Sequence, residues 1–179
     1  MIGVYVQEPD PRKLVQTIAQ AEKAGVPAFW LTMGGTAADV VVLYGASSMI
    51  TDRIKLGTSI IPTWPKHPVT LAQQAVAMNA LAPGRFRLGI GPSHHSSMGE
   101  VFGVDYRKPL TNLRQYLAAL TSLLHRGEVD MDVTNFKAKA SLPAPIDVPV
   151  MASALQPGAF RLCGELADGA ISWVAPWNY

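Results

Sequence analysis

Residues Ile54–Gln74 have the sequence IKLGTSIIPTWPKHPVTLAQQ, and this stretch decides how the rest of the chain is interpreted. An apolar run comes first, three prolines follow it, and an apolar pattern with helical spacing ends the stretch. Proline interrupts strands and helix interiors but is tolerated in the first turn of a helix, so the stretch predicts a buried strand, a rigid loop and a helix. The loop carries a tryptophan, a lysine and a histidine, and parallel α/β proteins place their chemistry in such loops.

Length and composition predict one globular domain spanning residues 1–179, because 49% of the residues are hydrophobic and only 16% are charged. A net charge of +2 without a basic cluster gives no support for a nucleic-acid partner, and no apolar run reaches the ~18 residues of a membrane span. The N-terminus lacks a signal-peptide pattern, so we expect a cytoplasmic protein. The single cysteine, Cys163, lies in an apolar helical pattern that favours a buried, unreactive thiol.

Predicted strands and helices alternate along the chain. Strands are predicted at residues 2–6, 28–32, 54–61, 86–90, 148–152 and 169–174, and helices at 11–24, 38–49, 68–81, 109–124 and 157–166. Residues 127–149 interrupt this alternation. Apolar and acidic residues alternate in VDMDV, and three prolines lie near the end, so the segment predicts a small hairpin or excursion.

Strands that are apolar on both faces and alternate with amphipathic helices predict a parallel sheet covered by helices. No glycine-rich nucleotide-binding fingerprint follows the first strand, and several strands end in different polar loops, which favours a barrel over a doubly wound sheet. Six βα units are too few for a complete (β/α)8 TIM-type barrel. We therefore expect an α/β fold in the form of an incomplete barrel, in which either part of the barrel is absent or a partner chain covers the open edges, as in a homodimer.

Three segments together resemble the luciferase-like superfamily of flavin and deazaflavin oxidoreductases: LGTSIIPTWPKHPVTLAQQ (56–74), LAPGRFRLGIGPSH (81–94) and ASALQPGAFRLCGELADGAISW (152–173). The closer resemblance is to the branch that uses the deazaflavin coenzyme F420, which includes methylene-tetrahydromethanopterin reductases and F420-dependent glucose-6-phosphate dehydrogenases. Family members usually have eight βα units. The resemblance therefore implies that the last part of the barrel is absent from this chain.

The resemblance implies a binding site for the coenzyme ring after the third strand. Deazaflavin-dependent relatives carry a non-proline cis peptide there, which backs the ring and corresponds to Ser59–Ile60 in this chain. The residues by themselves predict an ordinary strand end. Trp64 could stack against the ring and form one wall of its site. Lys66 could either bind an anionic part of the coenzyme or remain a solvated charge.

A second part of the implied site is the turn after the fifth strand, which holds the coenzyme phosphate in the family. Backbone N–H groups at a helix start favour an anion, although a plain helix start with proline at its first position fits the residues equally well. Trp173, at the end of the sixth strand, could face the cofactor or fill the barrel interior. The donors implied for the phosphate are Ser153, Ala154, Leu155 and Gln156.

The loop after the fourth strand, GPSHHSS, contributes the candidate catalytic residues His94 and His95. Gly91 permits close backbone approach, and Ser93 belongs to the family-like run that precedes the histidines. Neighbouring histidines on one regular element point in different directions, so we expect no metal site. Either histidine could donate a proton near the ring or orient a substrate, and either could be a surface residue. His94 is favoured because it follows the GPS run directly.

The sequence thus supports one main hypothesis and two alternatives. The main hypothesis is hydride transfer between F420 and a small-molecule organic substrate, in which the protein binds and shields the ring. The first alternative is an FMN-dependent monooxygenase of the same superfamily. The second is a truncated, non-catalytic module that pairs with another chain.

Overall fold

A computed structural model describes residues 3–173, so the predicted strand positions Ile2 and Val174 lie outside the described residues. The strands in that range are β1 (Gly3–Tyr5), β2 (Ala28–Leu31), β3 (Lys55–Thr58), β4 (Ile61–Pro62), β5 (Phe86–Gly91), β6 (Glu128–Val133), β7 (Phe136–Ser141), β8 (Val150–Ala154) and β9 (Gly169–Ser172). The helices are α1 (Pro11–Lys23), α2 (Val40–Ser48), α3 (Pro68–Leu81), α4 (Pro109–Thr121) and α5 (Pro157–Leu166), with π-helical turns at Ser97–Val101 and Ser122–Arg126.

The main sheet is parallel, and its strands follow one another in chain order: β1, β2, β3, β5, β8 and β9. The short β4 continues the edge of β3 and pairs with β5. Each strand therefore lies beside the strand of the preceding βα unit, with helices packed on one face, as in a (β/α) barrel. The predicted incomplete barrel is confirmed: the sheet forms part of a barrel, and β1 and β9 are its edges among the described strands.

The core lies between the outer face of the sheet and the helices. Phe29, Leu56, Leu88 and Ile90 are completely buried there. Tyr44 from α2 reaches into this layer, and its hydroxyl donates to the carbonyl oxygens of Phe29 (3.0 Å) and Gly57 (2.7 Å). Burial raises the pKa of the Tyr44 phenol, so the group stays a neutral donor.

The third predicted strand, residues 54–61, is wrong in one respect, because it is divided into β3 and β4. The Thr58 hydroxyl, rather than the backbone, pairs with Gly89: it donates to the Gly89 carbonyl and accepts from the Gly89 N–H, both at 2.8 Å. The fifth strand begins two residues later than predicted, because Pro149 has no N–H to donate and only its carbonyl joins the sheet, accepting from Leu88 N–H (2.9 Å).

Two helices have the bounds that the sequence predicts, α3 and α5, and both begin with proline. Residues 128–141 form the antiparallel pair β6–β7 around the two-residue turn Thr134–Asn135. Cys163 is buried, as the sequence predicts, and its thiol donates to the Ala152 carbonyl (3.4 Å). Within residues 3–173, no helix is both long and apolar enough to cross a membrane.

Candidate functional site

Three residues that the sequence selected, Ile60, Gly91 and Ser153, come together at the carboxyl ends of β3, β5 and β8. A Cβ placed on Gly91 would lie 2.1 Å from Ser153 Oγ and 3.2 Å from Ile60 Cγ1. Ile60 and Ser153 therefore meet over the bare backbone of Gly91, on the inner face of the sheet. Both side chains are partly exposed, so they offer an apolar and a polar surface side by side.

The segment that carries Ile60 is tied to the end of β2. Ser59 N–H donates to the Leu31 carbonyl (2.7 Å), Thr32 Oγ1 donates to the Ser59 carbonyl (2.7 Å), and Met33 N–H donates to the Ile60 carbonyl (3.2 Å). The Ser59–Ile60 peptide bond is cis, as the resemblance predicted. Backbone and side-chain hydrogen bonds thus fix the position of Ile60 without using its side chain.

Trp64 and His95 belong to two different loops, and the ring of Tyr106 contacts both. The Tyr106 ring lies 5.5 Å from the Trp64 ring, tilted by 38°, and 5.6 Å from the His95 ring in an edge-on arrangement. Its hydroxyl donates to the Ser93 carbonyl (2.6 Å). Sequence reasoning missed Tyr106, because it follows β5 by fifteen residues in an irregular loop with no period to mark it. His94 is exposed, and within residues 3–173 its ring makes no hydrogen bond or aromatic contact.

Lys66 does not extend toward an anion site. Its ammonium donates to Asp39 Oδ2 (2.7 Å) and to Gln74 Oε1 (2.9 Å), and its side chain is only 14% exposed. The other Asp39 oxygen accepts from the N–H groups of Val41 and Val42 and caps α2. Burial opposes ionisation of Asp39, but Lys66 and the two N–H donors outweigh it and lower the pKa of this carboxyl. Lys66 is therefore a structural residue that fixes the loop before α3.

The turn after β8 leads directly into the N-terminus of α5. Ser153 faces the inner surface, whereas Ala154 is buried on the helix side and presents only backbone to the turn. Leu155 and Gln156 are exposed. Gln156 is the residue before the first helical turn, and its own side chain makes no capping hydrogen bond. The turn thus has the exposure and the dipole direction that the predicted phosphate position requires.

Trp173 lies at the end of β9 and is 69% exposed, so its predicted role as a filler of the barrel interior is wrong in this chain. Ile171, two residues earlier in β9, is on the inner face of the sheet, since its Cδ1 lies 2.5 Å from where a Cβ on Gly89 would stand.

Two surface cavities, of about 680 Å³ and 290 Å³, do not include Ile60, Gly91 or Ser153: the first lies along the hairpin and the second between the hairpin turn and the start of α4. In the described part of the chain, no group of three histidine, cysteine or acidic side chains is arranged to hold a metal ion. The residues at the carboxyl ends of β3, β5 and β8 thus offer an apolar side chain, a bare glycine backbone and a serine hydroxyl, followed by the start of α5.

A parallel, partial barrel with such a surface at the carboxyl ends of its strands is typical of barrel enzymes that bind planar cofactors. The family model for luciferase-like monooxygenases matches residues 2–179. The chain belongs to this family.

Named relatives give the comparison more detail. The chain is 29% identical over 173 residues to a 5,10-methylenetetrahydromethanopterin reductase of Methanolobus tindarius, and 32% identical over 177 residues to an F420-dependent glucose-6-phosphate dehydrogenase of Beutenbergia cavernae. These matches cover 94% and 90% of this chain but 52% of each relative. The chain thus spans about half the length of the relatives it matches.

Solved structures show the same fold. The F420-dependent tetrahydromethanopterin reductase of Methanopyrus kandleri superposes with a TM-score of 0.83 at 22% identity, over 96% of this chain and 55% of that one. A type II Baeyer–Villiger monooxygenase from Pseudomonas putida, in complex with FMN, superposes with a TM-score of 0.80 at 16% identity, over 95% of this chain and 57% of that one.

Proposed function

We propose that this chain forms the cofactor-holding part of an oxidoreductase that transfers a hydride between coenzyme F420 and a small organic substrate. The observation that carries the proposal is the meeting of Ile60, Gly91 and Ser153 at one place on the inner face of the sheet. These residues come from three different strand ends, and each lies in a segment that resembles the F420-dependent branch. The named relatives that depend on F420 support the same choice of cofactor.

The residues fit a large, planar and anionic cofactor. Ile60 offers an apolar surface for one face of a ring. Gly91 has no side chain, so a ring can lie close to its backbone. Trp64 and Trp173 would border the bound ring with their aromatic side chains. The turn Ser153–Gln156 would hold the phosphate at the start of α5.

When bound, F420 supplies a hydride as a two-electron carrier, and the protein contributes the surroundings. Ile60 would shield one face of the ring and leave the other face to the substrate. A proton would be held or moved at an imidazole nitrogen of His94 or His95. Cys163 takes no part, because it is buried and burial raises the pKa of its thiol.

The FMN-dependent monooxygenase is the second candidate, favoured by the close superposition with an FMN-bound monooxygenase. Titration of the purified chain with each cofactor, followed by quenching of tryptophan fluorescence, separates the two. We expect saturable quenching by F420 and weaker binding of FMN. Binding of FMN without F420 would overturn the proposed cofactor, and binding of neither would favour the non-catalytic module.

A homodimer is part of the proposal, since β1 and β9 each have only one neighbour among the described strands. Unpaired edges invite pairing with another chain. Light scattering of the purified chain should give twice the mass of one chain. A stable monomer would contradict the dimer and leave the cofactor proposal untouched.

A further inference from the structure

Tyr106 joins three of the residues that the sequence selected for the site. Its ring contacts Trp64 on one side and His95 on another, and its hydroxyl binds the carbonyl of Ser93. The 2.6 Å bond from Tyr106 Oη links two parts of the loop that follows β5, thirteen residues apart. Tyr106 therefore links the loop that carries Trp64 to the start of the loop that follows β5.

The Ser93 conformation explains why this bond matters. Ser93 has φ +61°, in the left-handed region that costs a residue with a side chain about 1 kcal/mol or more. This turn sends the chain away from β5 immediately before the two histidines. A strong hydrogen bond to the Ser93 carbonyl opposes relaxation of the turn to an ordinary conformation.

The rest of the loop is anchored independently of Tyr106. Met98 is completely buried, and its N–H donates to the His94 carbonyl (3.0 Å) while its carbonyl accepts from Val104 N–H (3.1 Å). These contacts fix the part of the loop around Met98. Ser93 and the His95 ring are instead contacted by Tyr106.

We propose that Tyr106 is a positioning residue of the site: it orders residues 92–96 and holds His95, rather than His94, at the edge of the bound cofactor. This inference rests on the proposed function for its cofactor part and goes beyond it in choosing between the histidines. Burial raises the pKa of the Tyr106 phenol, so it remains a hydrogen-bond donor at neutral pH.

The first test measures the loop without any ligand. Tyr106→Phe keeps the ring and removes only the hydroxyl. Tyr116→Phe is the matched control, because Tyr116 is 1% exposed and its hydroxyl is buried without a partner among the described residues. We expect Tyr106→Phe to speed amide hydrogen exchange in residues 93–96 about fivefold, and Tyr116→Phe to leave it unchanged. Equal exchange in Tyr106→Phe and wild type would overturn the inference.

The second test measures coupling through the dissociation constant for F420. Tyr106→Phe should weaken binding about fivefold in the wild type and in His94→Ala. In His95→Ala the same substitution should have no further effect, because the ring it positions is gone. Equal effects in both histidine backgrounds would overturn the assignment of His95. If wild type binds no F420, the proposed function fails, and the exchange experiment still decides whether Tyr106 orders the loop.

Discussion

Ser153 Oγ occupies the space that a side chain on Gly91 would need, with only 2.1 Å to the Cβ position. The two residues lie on neighbouring strands, and their approach brings the turn before α5 against the end of β5. Gly89 is restricted more severely, since a Cβ there would lie 1.9 Å from the Thr58 backbone oxygen. Close approach of backbone thus requires glycine at position 89, and close approach of a side chain favours it at position 91.

Substitution of these glycines by alanine should give graded effects. Gly89→Ala meets backbone that cannot rotate away, so we expect a loss of several kcal/mol in the free energy of unfolding, or failure to fold. Gly91→Ala meets a serine side chain that can turn, so we expect a loss of about 1–2 kcal/mol together with weaker F420 binding. Denaturant unfolding and cofactor titration measure both effects.

Gly164→Ala is the control for this series. Gly164 lies inside α5, and nothing stands within 4 Å of its Cβ position. Alanine is the better helix former, so this variant should gain about 0.5–1 kcal/mol. Equal behaviour of the three variants would show that the close approaches at Gly89 and Gly91 are not real.

The Lys66–Asp39 ion pair should stabilise the loop between β4 and α3. Asp39→Ala removes both the cap of α2 and the partner of a largely buried ammonium, so we expect a loss of about 2–3 kcal/mol. Asp39→Asn keeps the capping oxygen and should lose less than half as much. Thermal unfolding of both variants measures this. A larger loss in the asparagine variant would contradict the division of roles between the two Asp39 oxygens.

Glu22 should make stability depend on pH in the acid range. Its carboxylate accepts from the backbone N–H groups of Asp52, Arg53 and Ile54. Desolvation opposes ionisation, but these donors and the Arg53 charge lower the pKa below its ordinary value near 4.5. A lowered folded pKa contributes stability that is present above about pH 4.5 and is lost as the pH falls through the folded value.

Glu22→Gln should therefore lower Tm by about 2–4 °C at pH 7 and by less at pH 4, where the wild type has lost part of the same contribution. The exposed Glu100 provides the control, and Glu100→Gln should leave both values within a degree or so of wild type. An equal drop in Tm at both pH values for Glu22→Gln would contradict the linkage.

His67 should fasten the hairpin to the start of α3. Val69 N–H donates to His67 Nδ1 (3.2 Å), so the proton must be on Nε2, which lies 3.0 Å from the Lys137 carbonyl oxygen and donates to it. His67→Asn keeps a capping side chain but cannot reach the hairpin. We expect faster amide exchange in β7 for this variant with an intact α3.

Lys137→Gln is the matched control for His67, because the contact uses the Lys137 carbonyl and the side chain only pairs with Asp132 on an exposed surface. Exchange in β7 should be unchanged in this variant. Faster amide exchange in β7 of Lys137→Gln, or an unchanged rate in His67→Asn, would show that the imidazole does not hold the hairpin.

Local signals explain what the sequence predicted well. Proline at the first helical position set the start of α3 and α5, and Asp10 before Pro11 set the start of α1. Tertiary relationships explain the rest. The division of residues 54–61 into two strands depends on the Thr58 hydroxyl replacing backbone bonds to Gly89, and an apolar run gives no sign of this.

The candidate site was likewise predicted only in part from the sequence. Ile60, Gly91 and Ser153 were found because each lies in a segment with a family resemblance. The partner of Lys66 is twenty-seven residues away in the chain, and Tyr106 stands in a loop without periodicity, so only the folded arrangement reveals what they contact.

The central claim is that the cofactor lies on the surface that Ile60, Gly91 and Ser153 form at the carboxyl ends of β3, β5 and β8. Backbone amide chemical shifts of the labelled chain, recorded during titration with F420, test this claim most directly. We predict that the shifted resonances cluster at residues 59–64, 91–95 and 153–158, with the hairpin at residues 128–141 unchanged. Shifts confined to the hairpin, or no saturable shifts at all, would contradict the account.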